Sequence, residues 1–254
     1  VFFGGYYPTN LNTIDYITIA STGDASDFGD LTTTAAYAAS VSNSIRGVTT
    51  VGGVTTNVMN HVTIQTTGNT ADFGDLVQTA SQGAGLGSRT RAIAGGGTPS
   101  SPGGTNNIDF ATISSTGNFA DFGDFITTGF ARVAVSNSTR GVFFGRAIAP
   151  GSYNTIEFIT IAATGNSLDF GDLTAARHTG GAAGNATRGI AVGGSPSQGT
   201  MDFVTISTTG NAADFGDCTV NIWNTRGGNC GNAIRGLICG GGDSLPTNII
   251  QYVT

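Results

Sequence analysis

Apolar positions along this chain come in short runs that stop at glycine, and none is long enough for the stripe of a helix. Val1-Phe2-Phe3 ends on Gly4-Gly5, and its counterparts are Val51-Gly52-Gly53, Ile93-Ala94-Gly95-Gly96, Val142-Phe143-Phe144-Gly145, Ile190-Ala191-Val192-Gly193-Gly194 and Leu237-Ile238-Cys239-Gly240-Gly241. Each run reads as a strand, b. After a variable polar loop comes a second strand, c, rich in Ile, Thr and aromatic residues with period-two alternation, as in residues 14–20. A turn such as Thr22-Gly23-Asp24 or Thr67-Gly68-Asn69 leads into a short strand d. A Thr/Ala/Ser-rich segment, for example residues 34–42, then serves as strand a of the following unit, and Ser42-Asn43-Ser44 turns it into the next b. β-Branched residues and glycines stand where a helix wants Ala, Leu, Glu or Lys, so the chain is read as all-β.

Strand d carries the strongest repeat. Asp27-Phe28-Gly29-Asp30 returns at Asp72, Phe73 and Asp75, at Asp121, Phe122 and Asp124, at Asp169, Phe170 and Asp172, and at Asp214, Phe215 and Asp217, in steps of 45, 49, 48 and 45 residues. Arg46, Arg91, Arg140, Arg188 and Arg235 keep the same phase, as do the strand-c residues Tyr16, His61, Phe110, Phe158, Phe203 and Tyr252. The units run approximately 1–46, 47–91, 92–140, 141–188, 189–235 and, in part, 236–254, all within one domain spanning 1–254.

A four-stranded unit of this size buries too little alone, so neighbouring sheets must stack. Solenoid coils commonly need only ~20 to 30 residues, whereas propeller blades take roughly 40 to 50. The period therefore predicts a propeller of four-stranded antiparallel blades, with six blades expected and seven as the alternative. The chain spans about 5.4 units, and six closed blades would take roughly 28 more residues carrying one d and one a strand. Val1 in place of Met suggests a processed product or a segment of something longer.

Composition narrows the function classes. There is no lysine, 10 arginines face 16 acidic residues, and the net charge is -6. Ten of those acids sit in the DFGD copies and half the arginines at one repeat position, which leaves no broad basic surface for nucleic acid. No 18-residue apolar run predicts membrane insertion by a helix. Cys218, Cys230 and Cys239 read as free thiols, with one disulfide as the alternative.

The order of Arg-Gly, apolar run, Gly-Gly, variable loop, Ile-x-aromatic-x-x-Ile and a further aromatic resembles the Kelch repeat, as at Arg188-Gly189, Gly193-Gly194, Phe203-Val204-Thr205-Ile206 and Phe215. Phe of DFGD stands where Kelch repeats usually have Trp, and Gly145-Arg146 replaces one glycine pair. The DFGDL version looks like Kelch-like repeats of phage tail-fibre and related virion appendage proteins. That resemblance implies a noncatalytic structural or adhesion module on a virion surface. Its implied partners are other appendage proteins and a host-surface glycan or protein. The alternative is a secreted or surface carbohydrate-active enzyme on the same scaffold.

Residue by residue, DFGD is assigned to packing: Phe between blades, Gly at a bulge or close contact, Asp accepting hydrogen bonds from backbone or from the repeated Arg. A calcium site is the minor alternative, and no metal or other cofactor is assigned. His61 replaces a strand-c aromatic, while His178, Arg89, Arg132, Arg146 and Arg177 stand outside the repeat. No catalytic constellation emerges, so no catalytic residue is assigned. Recognition belongs where units differ, in the b–c loops. Tyr6, Tyr7, Asn10, Asn106, Asn107, Arg146 and Tyr153 are the ligand-binding candidates, because aromatic faces, amides and a guanidinium suit a sugar or protein surface.

Overall fold

The computed structural model describes residues 1–6, 8–50, 56–99, 103–196, 198–223, 229–242 and 247–254. Among them the chain forms six antiparallel sheets arranged radially as a propeller. The first blade holds β1 (Phe2–Tyr6), β2 (Asn10–Tyr16) and β3 (Ser26–Ala35), and the second holds β4 (Ser40–Ser42), β5 (Arg46–Thr50), β6 (Thr56–Thr63) and β7 (Ala71–Ala80). The third is β8 (Ala84–Gly87), β9 (Arg91–Gly95), β10 (Thr105–Thr112) and β11 (Ala120–Gly129). The fourth is β12 (Val133–Ser136), β13 (Arg140–Ile148), β14 (Gly151–Thr160) and β15 (Leu168–Asp172). The fifth is β16 (Gly181–Gly184), β17 (Arg188–Val192), β18 (Gln198–Thr205) and β19 (Ala213–Ile222), and the sixth is β20 (Asn229–Gly231), β21 (Gly236–Cys239) and β22 (Ile250–Val253).

Strands a, b, c and d thus run outward from the hub. Strand b meets strand c in one blade as the alternation requires, with Val142 opposite Phe158 and Phe144 opposite Ile156. The segment 34–42 differs from expectation. Strand d continues through Ala35, Ala80 and Gly129, well past DFGDL, and the inner strands are only three or four residues long. Near the axis the inner strands crowd one another, and only short, small-residue strands fit. A Cβ on Gly85 would lie 2.4 Å from the Ser40 carbonyl oxygen of the preceding blade.

The core lies between the blades. Phe73 clusters with Met59 and Leu76 of its own blade and with Ile113 and Phe119 of the next, while Phe122 meets Phe143, Ile159 and Ile161 across the following boundary. Phe170 does the same with Val204 and Ile206, and Phe28 with Val62. Between the sixth and first blades the ring is joined by Arg235, whose Nη1 donates to the Ile19 carbonyl at 3.0 Å. The three cysteines are free, and burial pushes Cys218 up to about 11 and Cys239 to about 12, so both thiols stay protonated near neutral pH.

Candidate functional site

DFGD is a backbone latch between blades. Its Phe carbonyl accepts from the turn glycine of the following blade, with Gly68, Gly117, Gly165 and Gly210 donating to Phe28, Phe73, Phe122 and Phe170 at 2.7 Å each. The N–H of the second Asp donates to the turn Asn: Asp30 to Asn69 at 2.9 Å, Asp75 to Asn118 at 3.1 Å, Asp124 to Asn166 at 3.0 Å and Asp172 to Asn211 at 3.1 Å. The central glycine is demanded twice over. Gly74 has φ +140, and a Cβ there would lie 2.4 Å from the Gly117 carbonyl oxygen. The Asp side chains take no part in this: Asp27, Asp72, Asp121, Asp169 and Asp214 are exposed.

The repeated arginines do not pair with these carboxylates, contrary to the sequence reading. Nη1 of Arg46, Arg91 and Arg140 donates to the carbonyls of Ile113, Ile161 and Ile206 in the next blade at 3.1, 2.9 and 3.2 Å. The guanidinium lies over the strand-c aromatic of its own blade, 4.7 Å from the Phe110 centroid for Arg91 and 4.3 Å from Phe158 for Arg140. Cross-blade carbonyls and ring faces lie within reach of the short arc the side chain can sweep, whereas the Asp side chains point outward. Replacing Arg140 by alanine should cost about 1.5 to 3 kcal/mol by urea denaturation, the range for a hydrogen bond to a charged group. The same change at Arg188, which is exposed and has no such carbonyl among the described residues, should cost under about 0.5 kcal/mol. Equal losses at both positions would refute the assignment.

A third latch was not read from the sequence. The residue just before the strand-c aromatic reaches back to the previous blade: Asp109 accepts from Val77 N–H at 3.0 Å, Glu157 from Ile126 at 3.0 Å, Asp202 from Thr174 at 2.9 Å and Gln251 from Thr219 at 2.9 Å. Asn60 donates to Thr32 Oγ1 at 2.7 Å from the same place. The signal was present, since every unit carries Asp, Asn, Glu or Gln there, but the identity changes and only the hydrogen-bonding capacity repeats. Burial raises the pKa of Asp109, opposed by the Val77 N–H and the Asn107 amide.

The irregular arginines sit beside this ring of latches. Arg177 Nη2 is 2.9 Å from Asp202 Oδ2 with both side chains buried, and Arg132 Nη2 is 3.6 Å from Glu157 Oε1. Arg132 also donates to the carbonyls of Gly129 and Thr127 at 2.8 and 2.7 Å and lies 4.0 Å over Phe125. Burial lowers its pKa to about 10 against the pull of Glu157, so it remains a cation at neutral pH. The hub channel, about 420 Å³, is lined by Ser40, Gly85, Ala134, Ala182 and Gly231 from the inner strands, by Phe3 of β1 with Val1 just before it, and by Arg132.

Of the loop candidates, Tyr6 is 54% exposed and stacks on Tyr37 at 6.3 Å and 23°. Asn10 pairs with Tyr6 at the top of the β1–β2 hairpin. Tyr7 lies outside the described residues. Tyr153 is 37% exposed, and Arg146 lies 3.8 Å over its ring. Arg146 is itself only 7% exposed and donates to the Thr128 carbonyl at 3.3 Å, so it supports Tyr153 from below and is not an open surface fork. Asn106 and Asn107 are half-buried within β10, where Asn107 binds Thr105 Oγ1 at 2.5 Å and Asp109 at 3.3 Å. His61 packs edge-on to Phe73 at 5.9 Å, its pKa lowered first by burial and then by Arg46. His178 meets Ser152, Nδ1 to Oγ 2.8 Å, at the base of the hairpin that carries Tyr153. Among the described residues no three His, Cys, Asp or Glu side chains gather in a metal-holding set. No protein-family model and no curated protein matches the chain.

Proposed function

We propose that the chain is a noncatalytic Kelch-like module of a virion appendage, exposed outside the cell, whose variable b–c loops contact a host-surface glycan or protein. One contrast carries this reading. The repeated Phe, Gly and latch residues are used up inside the blade boundaries, while the two most developed b–c hairpins hold Tyr6 and Tyr153 with one ring face against Tyr37 and Arg146 and the remainder toward solvent. Aromatic rings fixed in this way stack on sugars or apolar protein patches with little entropy left to lose. The hub is lined mostly by small Gly, Ala and Ser residues, with no acidic side chain in that lining alongside Arg132, which supports a scaffold more than a reaction chamber. The family likeness rests on the order of the repeat, and the virion assignment on the style of its DFGDL copies.

The alternative, a surface carbohydrate-active enzyme, has the Ser152–His178 contact beside Tyr153 in its favour. A Ser–His pair is the arrangement of acyl transfer, so ester-bearing glycans would be its substrates. Titration of the soluble chain against arrayed host-surface glycans, with immunolabelling of intact particles, separates the two. Saturable binding weakened about tenfold by Tyr153→Ala, with no product formed, supports the adhesion reading. Glycan turnover abolished by Ser152→Ala, or labelling confined to the cytoplasm, overturns it.

A further inference from the structure

From the second blade to the sixth, the residue before the strand-c aromatic is acidic three times, and in two of those places an arginine answers it. Asn60 and Gln251 are neutral and need no counter-charge. Glu157 lies 3.6 Å from Arg132, and Asp202 lies 2.9 Å from Arg177. Asp109 differs: it is 1% exposed, and no cationic side chain among the described residues comes within ion-pair distance of it. Its carboxylate accepts from Val77 N–H at 3.0 Å and from the Asn107 amide at 3.3 Å. Two hydrogen bonds from neutral donors leave a buried charge without compensation.

The neighbouring boundary shows what stands in this place when a cation is built in. Between the third and fourth blades the Arg132 guanidinium lies 4.0 Å over Phe125 and donates to the Gly129 carbonyl. Repeat phase sets Arg132 against Gly83, because each follows a residue of left-handed backbone, Ala131 at φ 60 and Gln82 at φ 62. The same phase sets Phe125 against Leu76, Gly129 against Ala80 and Glu157 against Asp109. Gly83 has no side chain to send inward. A cavity of about 10 Å³ lies there, lined among the described residues by Leu76, Ala80, Gln82, Gly83, Asn107 and Asp109 and by Gly95 and Gly96 across the boundary. That is room for about one water-sized species. Gln82 has its Oε1 buried with no hydrogen-bond partner, and the Gly95 and Gly96 carbonyl oxygens stand 3.3 and 3.4 Å from the point a Cβ on Gly83 would take.

We propose that the boundary between the second and third blades binds one sodium ion, held by the Asp109 carboxylate, Gln82 Oε1 and the carbonyl oxygens of Gly95 and Gly96, in the place the Arg132 guanidinium takes one boundary further on. An all-oxygen set suits a hard cation, and a single carboxylate balances a single charge. Calcium would bring a second positive charge that nothing in the cavity offsets, and it takes about six to eight oxygen ligands. Potassium is larger than a cavity of this size accepts. The ion is thus an exchangeable counterpart of the two fixed arginines, and it keeps Asp109 charged while its latch to Val77 stays closed.

Thermal unfolding of the 254-residue chain at neutral pH and constant ionic strength, with sodium chloride exchanged for choline chloride, is the measurement. At a sodium concentration about tenfold above its dissociation constant, the midpoint should stand about 3 to 6 °C higher than in choline. Asp109→Asn keeps an acceptor for Val77 N–H and should lose that increment. Gly83→Arg places a guanidinium where the next boundary has one, on backbone outside the left-handed region, and should unfold at the same temperature in both salts. Sodium NMR relaxation should report an exchanging bound ion in the wild type and none in either variant. The two substitutions alter opposite sides of the cavity, so a fold lost in one leaves the other to decide. Equal wild-type midpoints in the two salts, an increment that survives in the folded variants, or a larger increment from potassium or calcium than from sodium would overturn the proposal.

Discussion

Replacing Phe122 by alanine is expected to destabilise the propeller by about 3 to 5 kcal/mol, the range for emptying a buried aromatic site that cannot collapse. Phe122 is 2% exposed, edge-on to Phe110 at 5.9 Å, and seated among Ile93 and Ile108 of its own blade and Phe143, Ile159 and Ile161 of the next. Two rigid sheets, tied by the 2.7 Å bond from Gly165 to the Phe122 carbonyl, flank the ring and cannot close around the space it leaves. Phe215→Ala should cost clearly less, because its ring is only half-buried. Equilibrium denaturation of both variants is the check, and a loss under about 1 kcal/mol at Phe122 would remove the aromatic from its central packing role.

Asp202→Ala should cost a comparable 3 to 5 kcal/mol, about what is lost when one partner of a buried ion pair is removed. The Asp202 side chain is 0% exposed and holds Arg177 at 2.9 Å, Thr174 N–H at 2.9 Å and Thr174 Oγ1 at 2.7 Å. Arg177 Nη1 already has no hydrogen-bond partner, so alanine leaves a buried guanidinium with little to offset its desolvation. Asp202→Asn keeps an acceptor for Thr174 while removing the charge, and should fall between wild type and Asp202→Ala. If asparagine costs as much as alanine, the charge on Asp202 carries the whole effect; if asparagine costs nothing, the acceptor does. If neither shifts the urea midpoint, the buried pair is replaceable at no cost.

The ring was legible because its constraint repeats. Spacing, glycine pairs and the phase of DFGD were enough for the strand order and the antiparallel blades, and the Phe of DFGD was readable as an inter-blade residue because every boundary needs one. What failed to read through were features set by geometry across a boundary. Ten acids and five in-phase arginines invited pairing between them, but a linear chain does not reveal that Asp27 and its equivalents are exposed while Arg46, Arg91 and Arg140 reach a carbonyl in the next blade. The latch at Asn60, Asp109, Glu157, Asp202 and Gln251 escaped because identity varies where function is held by a shared ability to bond. Arg146 was placed among surface candidates from its loop position; the β13–β14 hairpin folds it under Tyr153 instead.

The outward carboxylates of DFGD have a consequence for how copies of this molecule meet. Each strand d is the last of its sheet, and its outer edge presents unpaired backbone groups to any strand that drifts past. Asp27, Asp72, Asp121, Asp169 and Asp214 place one exposed negative charge on each such edge, and the neighbouring glycine bulge bends the strand away from a flat template. With a net charge of -6 and no lysine to neutralise it, identical rims repel at neutral pH. Acidification toward the sequence isoelectric point near 4.6 brings the net charge to zero and removes the long-range repulsion between copies, leaving the bulged edges as the remaining barrier to edge-to-edge pairing.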